Sequence, residues 1–570
     1  MENIDIAKLL AETADLMEIA AEDSFRIRSY RVAAATVEGY PERLTTIAAD
    51  PERKLTDIPG IGKGIAGIIE EIERRGSFAR RDELLEKYPP TALEMLRIQG
   101  LGPKTIALLI EALRITTLED LERACKEGKI RTLPRMGVKH EEKILRGIEQ
   151  YRRSSGRTLL HVADAIAADL IGYLAETPGV EGVTSAGSLR RGRETVGDLD
   201  LLVTGPGSAA ALDRFVKHPR VSQVLGQGDN KASALIGVEG IQVDVRALPA
   251  RSFGAGMQYF TGSKDHNVAL RQRALKMGLT LNEYGLTRLD NEEWVAGETE
   301  QEIYAALGLP WIPPELRENQ GEFDLPLPVL IEPGDMRGDI HMHTRESDGR
   351  ATLEEMAEAA RELGYEYIAI TDHSKALAMA NGLNEQRVLD FAARVRAIDH
   401  EAFGIRVMSG IECDILRDGA MDLDDEALAA LDYVVASVHS YMNLESREMT
   451  DRYLKCLENP YVKTIGHPTG RLLLHRDAFV YNFEEVAEAA AARKVAMEIN
   501  ASPERLDLHA TLIRIAKAKG CKFTISTDAH HPKHMGNLKY GVRMARRGWL
   551  TKEDVLNTLP YERFIATWAK

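Results

Sequence analysis

Cysteine is scarce in this chain. Only Cys125, Cys413, Cys456 and Cys521 occur in 570 residues, and no two have C-x-x-C spacing. That excludes a paired-thiol motif, and reduced thiols in a cytoplasm are the simplest reading. No apolar run is long enough to cross a membrane. The opening stretch MENIDIAKLLAETADL reads as an amphipathic helix with acidic residues, which excludes a signal peptide. Positive charge is also lacking: 73 Lys+Arg against 88 Asp+Glu leave −15. Taken alone, that argues against a nucleic-acid partner. The first 150 residues nevertheless balance at −3, so about −12 falls on the remainder. A nucleic-acid surface would have to be local, built from backbone amides and a few placed cations. Metal sites also raise the acid count without making the surface repel DNA, since bound cations offset it.

What remains is an ordinary globular composition, 44% apolar and 28% charged. The chain is too long for one core, which suggests three to five domains. Residues 1–154 read as short helices with repeated glycine turns. Ile58-Pro-Gly-Ile-Gly-Lys-Gly-Ile-Ala66 and Ile98-Gln-Gly-Leu-Gly-Pro-Lys-Thr-Ile-Ala107 are alike, and Leu133–His140 is a partial third copy. Residues 155–250 place a helix, His161–Leu174, before strand-like runs VEGVTSAGS, DLDLLVTG, ASALIGV and GIQVDVRAL. Residues 251–316 look mainly helical with a small strand pair. The Pro-rich stretch that follows, with LPLPVLIEPGD, reads as a linker. From about 337 onward strands and helices alternate, which indicates a parallel α/β fold, a barrel.

A G-x-G turn opening a helix presents free N–H groups and the positive end of a helix dipole, a seat for phosphate that needs no positive side chain. Gly60, Gly62, Gly64, Gly100 and Gly102 are the candidates, with Lys104 adding charge. For one copy, a plain helical domain with glycine turns explains the pattern equally well; repetition favours the phosphate reading. Downstream, Gly187-Ser-Leu-Arg-Arg191 precedes Gly197-Asp-Leu-Asp200. Strand alternation puts Asp198 and Asp200 on one face, and Asp244 in IQVDVR supplies a third carboxylate from a neighbouring strand. Such carboxylates repel one another and suit divalent cations bridged by phosphates. Ser188 and Arg191 stand ready for a triphosphate.

The string GSLRRGRETVGDLD, then QVDVR, then Tyr259-Phe-Thr-Gly-Ser263, resembles the palm and thumb of family X DNA polymerases, such as DNA polymerase beta. The resemblance covers roughly residues 1–316, hairpins included. It implies templated gap filling with dNTPs, with two Mg²⁺ or Mn²⁺ ions on Asp198, Asp200 and Asp244. It implies triphosphate contacts from Ser188, Arg191 and Gly197, sugar contacts from Tyr259, Phe260 and Gly262, and base-pair contacts from Asn267 and Arg271. The hairpins resemble helix-hairpin-helix motifs, which hold DNA backbone. One departure stands out. The lysine of family members with 5′-deoxyribose-phosphate lyase activity is Ile68 here, and an apolar side chain cannot form a Schiff base.

Eleven of the 15 histidines lie beyond residue 335. His341 and His343 alternate on one strand, and Asp348 follows in a turn. His373, Glu412, His439, His467, Asp528 and His530 sit at or just past the ends of apolar runs, which in a parallel barrel converge on one mouth. Imidazole with carboxylate suits Zn, Mn or Fe. His531 and His534 read as surface residues, and Arg471 and Arg505 as possible phosphate contacts. This region resembles the PHP domain (polymerase and histidinol phosphatase). The resemblance implies a distorted β/α barrel with up to three Mn²⁺, Zn²⁺ or Fe ions and a Mn²⁺-dependent 3′→5′ exonuclease, with AP endonuclease or 3′-phosphatase activity also open.

The expectation is therefore a multidomain protein: a helical DNA-binding domain with the first hairpin (1–80), a fingers-like helical domain (81–154), an α+β nucleotidyltransferase palm (155–250), a thumb (251–316), a linker (317–336) and the PHP barrel (337–570). Gapped or primer-template DNA and dNTPs are the expected partners of a monomeric, cytoplasmic repair enzyme with no membrane contact. Three other readings stay open at this point: a polymerase whose barrel is only structural, a non-templated nucleotidyltransferase, and a DNA-binding scaffold with vestigial sites.

Overall fold

The computed structural model describes residues 3–40, 44–50, 53–58, 60–96, 98, 101–134, 136–154, 156–237 and 240–568. The chain divides into two compact units. Residues 1–155 with 474–476 build the first, and residues 156–473 with 477–570 the second.

Among its described residues, the first unit holds helices and no strand. Its apolar stripes meet in one core running from Ile6 to Ile148. Helix Lys63–Arg75 shows how the pattern works: Ile65, Ala66, Ile69 and Ile72 recur at helical spacing and are buried, and Gly76 ends the helix with a left-handed φ of 72°. Gly62 and Gly102 stand at the N-termini of Lys63–Arg75 and Pro103–Leu113. Ile68 is half-buried against the helical core.

The second unit starts with a five-stranded sheet. The strands Gly182–Ser185, Asp198–Thr204, Ile241–Ala247, Lys231–Ile236 and Val221–Gln227 lie in that spatial order. The last of these, Val221–Gln227, is an edge strand whose mostly exposed residues gave no apolar signal in the sequence. Asp198–Thr204 and Ile241–Ala247 pair in parallel, with Asp200 beside Asp244. Leu199 is buried between Asp198 and Asp200, as period-2 alternation requires. The region read as a strand pair after residue 251 holds three strands, Leu279–Asn282, Gly285–Arg288 and Trp294–Ala296.

The barrel follows. Seven strands, all parallel and in sequence order, run from Gly338–Asp339 to Phe523–Ser526. A parallel bridge between Met342 and Ala529, with the His343 N–H on the Ala529 carbonyl at 2.8 Å, joins the first strand to the last. The palm core and the barrel core are continuous, from Leu160 through Val245 to Val555.

Residues 317–336 are not the loose linker their prolines suggested. Arg317 and Glu322 are fully buried. The Arg317 Nη1 donates to Glu300 Oε1 at 2.6 Å, and Glu322 Oε1 lies 2.8 Å from His266 Nδ1. Arg190 adds a bidentate pair to Glu300 at 2.8 and 2.7 Å, and the Trp311 indole donates to the same carboxylate. A buried charge needs such company, because desolvation is otherwise prohibitive.

Burial raises the Glu300 carboxyl, but Arg317 and Arg190 more than offset it and hold it at about 2 against an ordinary 4.5. A depressed carboxyl stabilises the fold above its unfolded value, and that stability is lost as pH falls from about 4.5 toward 2. The stabilisation is on the order of 3 kcal/mol. Glu300→Gln is expected to destabilise the second unit by about 3 kcal/mol at neutral pH, since it leaves two guanidinia without their anion. Urea unfolding at pH 7 and pH 3 checks this, and the deficit of the variant relative to wild type should shrink at the lower pH.

Candidate functional site

The palm strands bring their carboxylates to one end of the sheet. Asp198 is exposed and Asp200 half-buried. Burial, then Asp198 and Asp244, push the Asp200 carboxyl up to about 6. Like charges crowded this way favour a divalent cation between them. Gly187 makes the close approach possible: its φ is 63°, and a Cβ there would stand 3.0 Å from Asp200 Oδ2.

A cleft of about 380 Å³ opens beside these carboxylates. Ser188, Arg191, Asp198, Asp200, Tyr259, Phe260, Gly262, Asn267 and Arg271 line it. Helix Phe253–Thr261 supplies the aromatic pair, whose rings meet edge-on at 5.1 Å. Four expectations are modified. Gly197 is not among the lining residues, and it lies near the Arg157 guanidinium. Asp244 does not line the cleft either: its Oδ2 lies 2.6 Å from Lys231 Nζ, and its Oδ1 accepts from Gln242 at 3.2 Å. Burial opposes ionisation of Asp244, but Lys231, Ser233 and Gln242 hold its carboxyl below the usual range. The Asn267 amide is already engaged, donating to the Tyr259 carbonyl and accepting from Gln258, both at 2.7 Å, so it braces the cleft wall. The Arg191 guanidinium is pinned on the Thr261 carbonyl at 2.5 Å and on Glu318 at 3.2 Å. Arg271 stays exposed.

The barrel gathers all nine of its expected ligands. Glu412, 1% exposed, lies 2.9 Å from His467 Nε2, 2.9 Å from His373 Nδ1, 3.3 Å from His439 Nε2 and 3.4 Å from His341 Nε2. Asp528 Oδ1 lies 3.1 Å from His343 Nε2, and Asp348 lies 3.4 Å from His530 Nε2. Three groups have ligand atoms close enough to share an ion: His343/Asp348/His373/His530, His341/His343/Asp528 and His373/Glu412/His439. Gly349 lets the Asp348 turn fold back, since a Cβ there would strike the His343 carbonyl at 2.4 Å. His467 and Asp528 hold left-handed backbone, with φ of 25° and 54°.

The donor set fits metal ions. His341 Nε2, His343 Nδ1, His373 Nδ1, His467 Nδ1 and Glu412 Oε2 are buried and make no aligned hydrogen bond, although His373 Nδ1 and His341 Nε2 lie 2.9 and 3.4 Å from Glu412 Oε2. Buried polar atoms are rarely left so, and a cation is their natural partner. Burial, then the His530 and His373 charges, hold His343 down at about 3, the neutral form that ligates metal.

Sequence reading missed the outer carboxylates. Glu498, fully buried, pairs with His341 Nδ1 at 2.7 Å and accepts the His467 N–H at 2.5 Å. Asp414 pairs with His439 Nδ1 at 2.9 Å. Such partners fix the ring orientation of a ligating histidine. The available signal was a Glu inside the apolar strand Ala496–Asn500. Arg505 Nε stands 3.4 Å from Asp528 Oδ2, whereas Arg471 is spent on the Arg505 and Leu506 carbonyls. His534 is exposed, but His531 is half-buried and its side chain accepts from the Lys533 N–H.

In the first unit, Gly62, Gly64 and Gly102 have open space where a Cβ would stand, and Lys104 is exposed. Gly60 has φ of 94° and abuts Thr36. Gly100 lies outside the described residues.

Comparison with known proteins adds four family matches. A helix-hairpin-helix domain matches residues 1–78, a SAM-like helix-hairpin-helix tandem 92–150, a DNA polymerase beta thumb 256–318 and a PHP domain 339–502. The DNA polymerase/3′-5′ exonuclease PolX of Bacillus subtilis is 36% identical over 98% of this chain and 97% of its own. A probable phosphatase of Acetivibrio thermocellus is 29% identical over 39% of this chain and 90% of its own. A solved ternary P/T complex of Leishmania infantum polymerase beta is 23% identical over 40% of this chain and 99% of its own, at a TM-score of 0.28, too loose to constrain the fold.

If the barrel mouth holds metal, Mn²⁺ at about a hundred times its dissociation constant should stabilise the protein by roughly 2.7 kcal/mol. Glu412→Gln should lose at least one ion per chain by elemental analysis and most of that stabilisation. A wild-type melting temperature indifferent to Mn²⁺ and to chelator would sink the assignment.

Proposed function

The chain belongs to the family X DNA polymerases of the PolX type, and on that premise we propose how its two sites share the work. It is a DNA polymerase and 3′-5′ exonuclease that carries a polymerase beta-like thumb and a PHP barrel, and it fills gaps in DNA. In our reading, the palm extends a primer across a short gap during base excision repair, and the barrel trims ends that cannot be extended.

At the palm, Asp198 and Asp200 would hold two Mg²⁺ or Mn²⁺ ions, and Asp244 would join them by exchanging Lys231 for metal. Such ions supply activation of the primer hydroxyl and stabilisation of the leaving pyrophosphate. The chain's own residues supply position. Ser188 and Arg191 take the triphosphate, and the Tyr259–Phe260 pair packs on the sugar. Gly262 leaves room for its backbone to approach, and Arg271 reaches the template side. Asn267 holds Tyr259 in place by its bond to the Tyr259 carbonyl. The crowding of carboxylates at Asp200, in a cleft also lined by two arginines and two aromatics, carries this reading.

At the barrel, the nine ligands would hold up to three Mn²⁺, Zn²⁺ or Fe ions. These would supply a hydrolytic nucleophile and charge neutralisation for a phosphodiester. Arg505, beside Asp528 at the mouth, is placed to meet a phosphate. The five orphaned ligand atoms support an intact centre. Relatives named probable phosphatases, 29% and 28% identical over 39% of the chain, support a phosphatase activity beside the exonuclease; in our reading it is a 3′-phosphatase, with AP endonuclease the other candidate.

The glycine hairpins would hold the backbone of gapped or primer-template DNA through N–H groups at Gly62, Gly64 and Gly102, with Lys104 beside them. Four free, buried thiols suit a reducing cytoplasm. No helix among the described residues is long and apolar enough to cross a membrane. We take the working form as a monomer.

The test uses a labelled primer on one-nucleotide-gapped DNA with Mn²⁺, with and without dNTPs. Asp198→Ala/Asp200→Ala should lower extension by about 10³-fold or more and leave shortening intact. His341→Ala/His343→Ala should do the reverse. Loss of both activities in either variant would contradict two independent centres.

A further inference from the structure

The helix Leu538–Arg547 follows the last barrel ligands, and its cations all reach into the polymerase half. Lys539 Nζ and Arg543 Nη1 meet Asp164 on the palm helix Leu160–Ala175, at 3.0 and 3.4 Å. Arg546 Nε donates to Glu315 at 2.8 Å. Arg547, 6% exposed, goes further: its Nη1 donates to the Arg191 carbonyl at 3.0 Å and to Glu318 Oε1 at 3.1 Å. That same Glu318 oxygen lies 3.2 Å from Arg191 Nε. One carboxylate oxygen is therefore shared between a guanidinium of the cleft and a guanidinium of the barrel.

We propose that Arg547, a residue of the phosphoesterase barrel, is a positioning residue of the polymerase cleft, holding Glu318 and the Arg191 backbone so that the Arg191 side chain can turn to an incoming nucleoside triphosphate. This rests on the reading of the cleft as the nucleotide site. Arg191 as it stands is committed to Thr261 and Glu318. To bind a phosphate it must loosen its hold on Glu318. A carboxylate in this largely buried position, with its side chain only 17% exposed, is strongly disfavoured without a counter-ion. Arg547 at 3.1 Å, with Arg193 Nη1 farther off at 3.8 Å, supplies the remaining positive charge, so Arg191 can leave without stranding the carboxylate. Its bond to the Arg191 carbonyl fixes the backbone from which the side chain swings. The barrel then contributes to nucleotide affinity without touching the nucleotide.

The experiment uses the full chain on one-nucleotide-gapped DNA with dNTP titration, alongside exonuclease rate on single-stranded DNA and melting temperature. Arg547→Met should raise the KM for dNTP about tenfold, the effect of losing one charge-assisted contact. Its kcat and exonuclease rate should change little, and Arg547→Lys should regain most of the affinity. In Glu318→Gln the KM should hold or fall, because the competitor for Arg191 is gone. Placed in that background, Arg547→Met should lose its effect. Should Arg547→Met not fold, Arg547→Lys and Glu318→Gln still read the link. A rise of KM in Glu318→Gln overturns the inference. So does a parallel drop of kcat, exonuclease and melting temperature in Arg547→Met that lysine does not restore. Arg191→Met separates the two layers. If it raises KM and Arg547→Met does not, only this inference fails. If it leaves KM unchanged, the nucleotide reading of the cleft fails and takes the inference with it.

Discussion

Placing carboxylates in a protein interior obliges everything around them to answer. Glu412 sits almost without solvent among four imidazoles within 3.4 Å. A charge in that position is tolerated only among cations or ligand-bound metal. Parallel strand ends provide the convergence, and the outer carboxylates Glu498 and Asp414 orient the rings by their second nitrogen. The palm solves a smaller version of the same problem. Asp200 is crowded by its own kind, and Asp244 beside it is balanced by Lys231. The thumb repeats it with Glu300 between Arg190 and Arg317.

Much of this was legible in the sequence, because the signals were local. Asp198/Asp200 and His341/His343 are two residues apart, and extended backbone puts such pairs on one face, although the histidines lie just past the strand Gly338–Asp339 and not on it. Apart from Asp348 in its turn, the remaining barrel ligands lie at or just past the ends of apolar runs, and parallel packing turns run ends into one mouth. What was hidden depends on partners far away in the chain. Nothing in KASALI marks Lys231 as the counter-ion of Asp244; only the antiparallel pairing of Lys231–Ile236 with Ile241–Ala247 brings them together. Glu498 gave no motif, since a lone acid in a strand has many explanations. Prolines between 317 and 336 suggested a connector. Arg317 and Glu322 are buried only because Glu300 and His266 await them, a fact of tertiary structure. The Asn267 amide was expected to face a base, and it is occupied by Gln258 and Tyr259 of the preceding helix Phe253–Thr261.

The continuous core from palm to barrel explains why the two catalytic halves form one compact unit. A polar, water-filled seam would allow the halves to move independently. Here apolar packing is accompanied by a row of cations on Leu538–Arg547, each with an acid or carbonyl in the polymerase half. The packing supplies most of the attraction, and the ion pairs fix the register in which it is made.

The bridge between Met342 and Ala529 has a consequence for how the molecule is born. Synthesis proceeds from the N-terminus, and domains tend to fold as they emerge. The palm carboxylates are translated long before Asp528 and His530, the ligands just past the last barrel strand, Phe523–Ser526. A nascent chain thus acquires the elements for adding nucleotides well before it can assemble the centre that removes them. The helix that clasps the polymerase half is made later still, so the final register between the halves is set only after the last barrel ligand has emerged.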